Sequence, residues 1–247
     1  MDINHVDDAI VRSYRELRTR IGVAALAFPL VLVVVGLLWG LKVQATLSNY
    51  YFAEDTTRVD LYPVRLWFCG ILFFVGFFLY RYQGFSKNEN IWLSAAGLFA
   101  VGVAIFPMSY NGKDEYGFVL AWIGLTMFSL HYICAILAFA CIAVVIVWYA
   151  DDSLSELKDQ AAYKWFKAAY FIIAAFMVAS IALAIALNYL HHGQGSYILA
   201  AEWAGIWAFG AYWFVKNAEM TRVAQSMRKR GIAPLAPQAR RDVLNML

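Results

Sequence analysis

Charge is what this chain has little of. Asp, Glu, Lys and Arg make up 15% of its 247 residues, where a soluble domain carries about a quarter. Hydrophobic residues make up 62%, and the mean hydropathy is +0.59. Those values exclude an ordinary water-soluble globule. Ligand-forming residues are also scarce. The three cysteines, Cys69, Cys134 and Cys141, are odd in number and lie in apolar stretches, which argues against a disulfide framework. No Cys-x-x-Cys or His-x-x-x-His spacing occurs, so no zinc site is expected and no metal or other cofactor is assigned. His131 alone among the histidines sits in an apolar span, which disfavours a bis-histidine haem. A retinal protein would want a lysine deep in a span, but Lys216 lies at the end of one. The polar segment Met1 to Arg20 has no early apolar core and no cleavage-like site, so the first span is expected to stay as an anchor.

What is present is a set of uncharged runs of about 18 residues or more, the mark of membrane-spanning helices. They predict an all-α integral membrane protein, a six-transmembrane-helix bundle with spans at 21–43, 63–82, 91–109, 126–149, 163–188 and 197–216. Flanking these lie a cytoplasmic N-terminal segment, 1–20, and a basic cytoplasmic tail, 217–247, around the membrane domain 21–216. The apolar run from Gly117 to Ala150 exceeds one perpendicular span, so its helix tilts or its start lies along the interface. Small residues recur at four-residue spacing, as Ala96, Ala100 and Ala104 or Ala201 and Gly205, where helices can approach closely in lipid. Pro63 suits a first helical turn, where its missing N–H is harmless.

Orientation follows from the basic residues. With the N-terminus inside, sixteen of the twenty lysines and arginines fall on the cytoplasmic side; Lys42, Arg58, Arg65 and Lys113 do not. The bias fits both termini inside a bacterial inner membrane and an even number of spans.

Inside these spans a few polar residues stand out. Glu202 lies in Ile198-Leu199-Ala200-Ala201-Glu202-Trp203-Ala204-Gly205, and a carboxylate in hydrocarbon needs a partner or a function. Counted from Lys216 it lies about 21 Å above the inner boundary, at about 1.5 Å per residue. Arg65 counted from Arg81 comes to about 24 Å, and His131 from Tyr149 to about 27 Å. Asn49, Tyr50, Tyr51, Tyr110 and the pair His191-His192 fall toward the same face. The reading is an outward-facing polar pocket lined by Arg65, His131 and Glu202, with Asn49, Tyr50, Tyr51 and Tyr110 around the ligand; were the site catalytic, His131 and Glu202 would serve as acid and base. The plainer alternatives are an Arg65–Glu202 ion pair that only compensates desolvation, a His131 bonded to a neighbouring helix, and an interfacial belt of tyrosines. Ser48 has no base beside it in sequence, so nothing local makes it a nucleophile.

Several stretches resemble a set of uncharacterised bacterial six-span membrane proteins. They are Ser48-Asn49-Tyr50-Tyr51, Arg65 through Gly70, Tyr82-Gln83-Gly84-Phe85 with Glu89-Asn90, and Gly97 through Pro107. His131-Tyr132 with Ala135 and Phe139, and Glu202 with Phe209-Gly210 and Trp213 to Lys216, complete the set. More distantly the arrangement is similar to the damage-regulated autophagy modulator group and its relatives in lipid-anchor remodelling, which implies lipid-related work. Seven-span ceramidase-like hydrolases use several histidines around zinc, a pattern this sequence lacks.

The leading expectation is therefore a membrane protein whose pocket binds a lipid or another amphipathic ligand. A lipid-headgroup enzyme using His131 and Glu202 is the second reading, followed by a transporter and by a structural or assembly scaffold. Membrane lipids are the expected partners, a second copy or another membrane protein is compatible with them, and no nucleic acid is implied.

Overall fold

A computed structural model describes residues 3–53, 62–106, 108, 127–157, 159–190 and 196–231. Pro107, Tyr110, the stretch 117–125, His191 and His192, Arg58, Lys113, Lys158 and the tail beyond 231 lie outside the described residues. The described chain is helical: α1 Ile3–Leu38, a 3-10 turn Ser48–Tyr51, α2 Arg65–Arg81, α3 Lys87–Ile105, α4 Met127–Trp148, the short α5 Ala150–Leu154, α6 Gln160–Leu190 and α7 Ser196–Lys229. Five of these segments are long and apolar enough to cross a membrane: Ala9–Leu38, Lys87–Ile105, Leu130–Leu154, Ala161–Leu190 and Ser196–Lys229. The remaining apolar helix, α2, has 17 residues and an arginine at each end.

Helix ends follow local chemistry. Gly40 takes a positive φ of 74° just past α1. Leu41 N then donates to Gly36 O at 2.9 Å, a left-handed cap that only glycine adopts without strain. Ser86 caps α3, its Oγ accepting from Glu89 N at 3.3 Å. Glu89 in turn reaches back to accept from Phe85 N at 2.6 Å. α1 and α7 do not stop at 21 and 216: at about 1.5 Å per residue both exceed 50 Å, so each carries its polar segment as a continuous extension of a span.

Contacts across the bundle make neighbours antiparallel. Phe28 meets Phe68 and Tyr14 meets Tyr82 between α1 and α2. Trp207 donates to Leu26 O and Arg18 to Asn217 between α7 and α1. A Cβ on Gly76 would stand 2.7 Å from Gly97 O, so α2 and α3 touch backbone to backbone there. Ala96, Ala100 and Ala104 are buried, as the four-residue spacing predicts. Leu66, Phe77, Leu98, Phe171 and Ile172 point outward, giving the bundle an apolar exterior.

The two ends of the bundle differ. One carries the start of α1 and the end of α7, and with them Arg12, Arg15, Arg18, Arg20, Arg81, Lys87, Lys164, Lys167 and the basic end of α7; we call it the terminal end. The other, the loop end, is closed by the segment after α1. That segment is not a solvated loop: Leu41, Leu47, Tyr50, Ala53 and Val64 are buried against Phe28, Leu32, Phe68 and Leu199.

Candidate functional site

The folded-back loop decides where the polar residues of the loop end find partners. Glu202, on α7, accepts from Leu47 N through Oε2 at 2.7 Å. One residue on, Ser48 Oγ lies 2.8 Å from His131 Nε2, and His131 Nδ1 lies 2.7 Å from Phe106 O. Asn49 N donates to Thr46 Oγ1 at 3.0 Å, which closes the turn on itself.

Arg65 is placed differently. Its Nε donates to Tyr51 O at 2.9 Å, and its guanidinium stands over the rings of Tyr62, Tyr51 and Phe52 at 3.8, 4.6 and 5.2 Å. Among the described residues no ion pair joins Arg65 to Glu202, which corrects the pairing inferred from equal depth. Depth along a helix leaves the angle around the bundle open: α2 packs on α1 and α3, α7 on α1 and α6. A planar cation stacked on aromatic faces is well accommodated without a carboxylate.

His131 and Glu202, expected as acid and base, each have a separate partner in the turn after α1. No hydrogen bond joins them among the described residues; they hold successive residues of one turn, Glu202 at Leu47 and His131 at Ser48. Tyr50, expected at the mouth of the pocket, is 1% exposed, packed into the loop-end core, with its OH accepting from Gln44 N at 3.5 Å. Asn49 and Tyr51 flank it in the turn and, like Arg65, do not line the cavity described next.

That cavity, of about 170 Å³, runs along the bundle axis. Phe68, Ile71, Leu72, Val75 and Leu79 present one face of α2 to it, a stretch of about 16 Å. α4 contributes Ala135, Phe139 and Ile142, and α7 contributes Ile206 and Phe209. Its polar wall is confined to Ser48, Tyr132, Asn188 and Glu202, all at the loop end. Sequence reasoning missed Tyr132 and Asn188 as lining residues and set Ser48 aside for want of a base. Only the tertiary fold puts a base beside Ser48, since His131 is 83 positions away.

The arrangement joins a long apolar slot to a small polar head in which a serine hydroxyl shares its hydrogen bond with an imidazole. Among the described residues no cluster of three or more His, Cys, Asp or Glu could hold a metal ion. No family model matches this chain, and neither a curated protein nor a solved structure shows significant similarity to it.

Proposed function

We propose that this chain is a six-span protein of a bacterial inner membrane, with both termini cytoplasmic, that holds a membrane lipid or a similar amphipathic molecule. The acyl chain occupies the slot along α2 and α4, and the polar end meets Ser48, Tyr132, Asn188 and Glu202. The observation that carries this reading is the segregation of the cavity wall, apolar for about 16 Å and polar only at one end. A ligand of matching shape is a chain with a head.

The six spans and their direction rest on two further observations. α2 is about 26 Å long at 1.5 Å per residue, near the hydrocarbon thickness of about 30 Å, and its terminal arginines can reach either interface. Basic residues gather at the terminal end, which the positive-inside rule assigns to the cytoplasm.

Two substitutions that fill the slot test the reading. Ala135→Phe on α4 and Ala184→Phe on α6 both add a ring to the cavity wall. Lipid retained by the purified protein, weighed by mass spectrometry, should fall about tenfold or more, corresponding to about 1.4 kcal/mol or more of lost affinity. Folded variants that keep the lipid complement of the parent would overturn it.

A further inference from the structure

We propose that Ser48 is the nucleophile and His131 its general base in an acyl-transfer site that cleaves an ester of the chain held in the cavity, a step that rests on the lipid-pocket reading above. The tautomer of His131 follows from its partners. Phe106 O can only accept, so Nδ1 carries the proton of the 2.7 Å contact. In a neutral ring Nε2 then presents a lone pair, and the 2.8 Å contact is made by Ser48 O–H donating to it. That is the arrangement of a nucleophile, its base and an orienting group.

Access separates this serine from others. Ser48 belongs to the cavity wall, while His131 is 3% exposed and is not part of that wall. A bound chain therefore borders the serine rather than the imidazole. Glu202, by accepting from Leu47 N, acts as a positioning residue for the turn that carries Ser48.

The step balances without oxidation or reduction. Ser48 Oγ adds to the ester carbonyl carbon as its proton passes to His131 Nε2. The adduct collapses by breaking the C–O bond to the lipid alcohol, which leaves with that proton. A hydroxyl oxygen, of water or of a second lipid, then opens the acyl–Ser48 ester. Its proton returns through Nε2 to Ser48 Oγ.

The test uses the full chain in detergent, treated with a long-chain alkyl fluorophosphonate and read by peptide mass. Ser48 should be phosphonylated, Ser48→Ala should abolish the adduct, and His131→Gln should slow it about 100-fold or more. In vesicles of labelled phosphatidylethanolamine, free fatty acid reports water as acceptor and a newly acylated lipid reports a lipid acceptor; either supports the proposal. Retained lipid with unreactive Ser48 and intact ester would overturn the dyad and leave the binding pocket standing. Loss of lipid binding together with loss of reactivity would overturn both. A folded His131→Gln labelled at the parent rate would remove His131 as the base.

Discussion

Two serines, one at each end of the bundle, sit in hydrogen-bonded clusters of opposite character. At the loop end Ser48 shares its hydroxyl with one imidazole and faces a cavity. At the terminal end Ser153 accepts from Lys216 Nζ at 2.7 Å and donates to Glu219 Oε1 at 2.6 Å. Lys216 also pairs with Glu219 Oε2 at 3.2 Å, and Tyr170 OH donates to the same oxygen. Glu89, buried on α3, lies within electrostatic reach of Lys216. Every member of that second cluster is almost wholly enclosed: Ser153 0%, Glu219 0%, Glu89 1%, Lys216 and Tyr170 2%. The difference teaches that burial of charge does not by itself mark a functional site. Charges that compensate one another out of reach of any ligand hold helices together, here α3, α5, α6 and α7. A polar group left facing a space is available to a ligand.

That comparison can be broken most forcefully at Lys216. Lys216→Met leaves two buried carboxylates without their cation and should destabilise the protein by about 3–5 kcal/mol, seen as a lower melting temperature in detergent. Pairing it with Glu219→Leu should recover part of that loss, and a double variant worse than the sum of the single ones would contradict the mutual compensation argued above.

The serines themselves give the next largest contrast. Ser153→Ala strips a partner from both Lys216 and Glu219 and should cost about 1–3 kcal/mol, whereas Ser48→Ala, beside a cavity, should cost about 1 kcal/mol or less. Equal losses in thermal unfolding would mean that the two sites are alike in kind.

Glu202 discriminates between roles of a carboxylate. Glu202→Gln keeps an acceptor for Leu47 N–H and should change stability by under about 1 kcal/mol; Glu202→Leu orphans that N–H and should cost about 1–3 kcal/mol. If charge rather than acceptance mattered, the Gln variant would be as unstable as the Leu variant.

The smallest effect is a coupling. Because Arg65 stacks on aromatic rings and Glu202 bonds a backbone amide, Arg65→Met and Glu202→Gln should add within about 0.3–0.5 kcal/mol. A larger interaction energy in the double-mutant cycle would restore the ion pair.

Much of the scaffold was legible in the residues. Apolar runs marked the helices, though α2 began at Arg65 rather than 63 and α1 ended at Leu38 rather than 43. The left-handed Gly40 and the turn at Pro63 account for those shifts. The small-residue spacing marked buried faces correctly. Glu202 was rightly singled out as a residue needing a partner, but its partner was a backbone amide, which no side-chain pattern announces. Lys216 read as the end of a span because it follows an apolar run. In fact α7 continues to Lys229, and Lys216 faces inward onto Ser153 and Glu219. Tyr50 and Tyr51 were expected around the ligand, with an interfacial belt as the alternative, because a sequence gives no sign that the loop turns back into the bundle.

What the sequence determined by itself was the helical, lipid-compatible scaffold and the asymmetry of its basic residues. Those depend on local hydrophobicity, spacing and capping, which act within a few residues. Tertiary structure alone decided which polar groups meet. Hydrogen bonds are made within about 3 Å, and residues 83 or 155 positions apart come that close only after the helices pack and the loop folds over them.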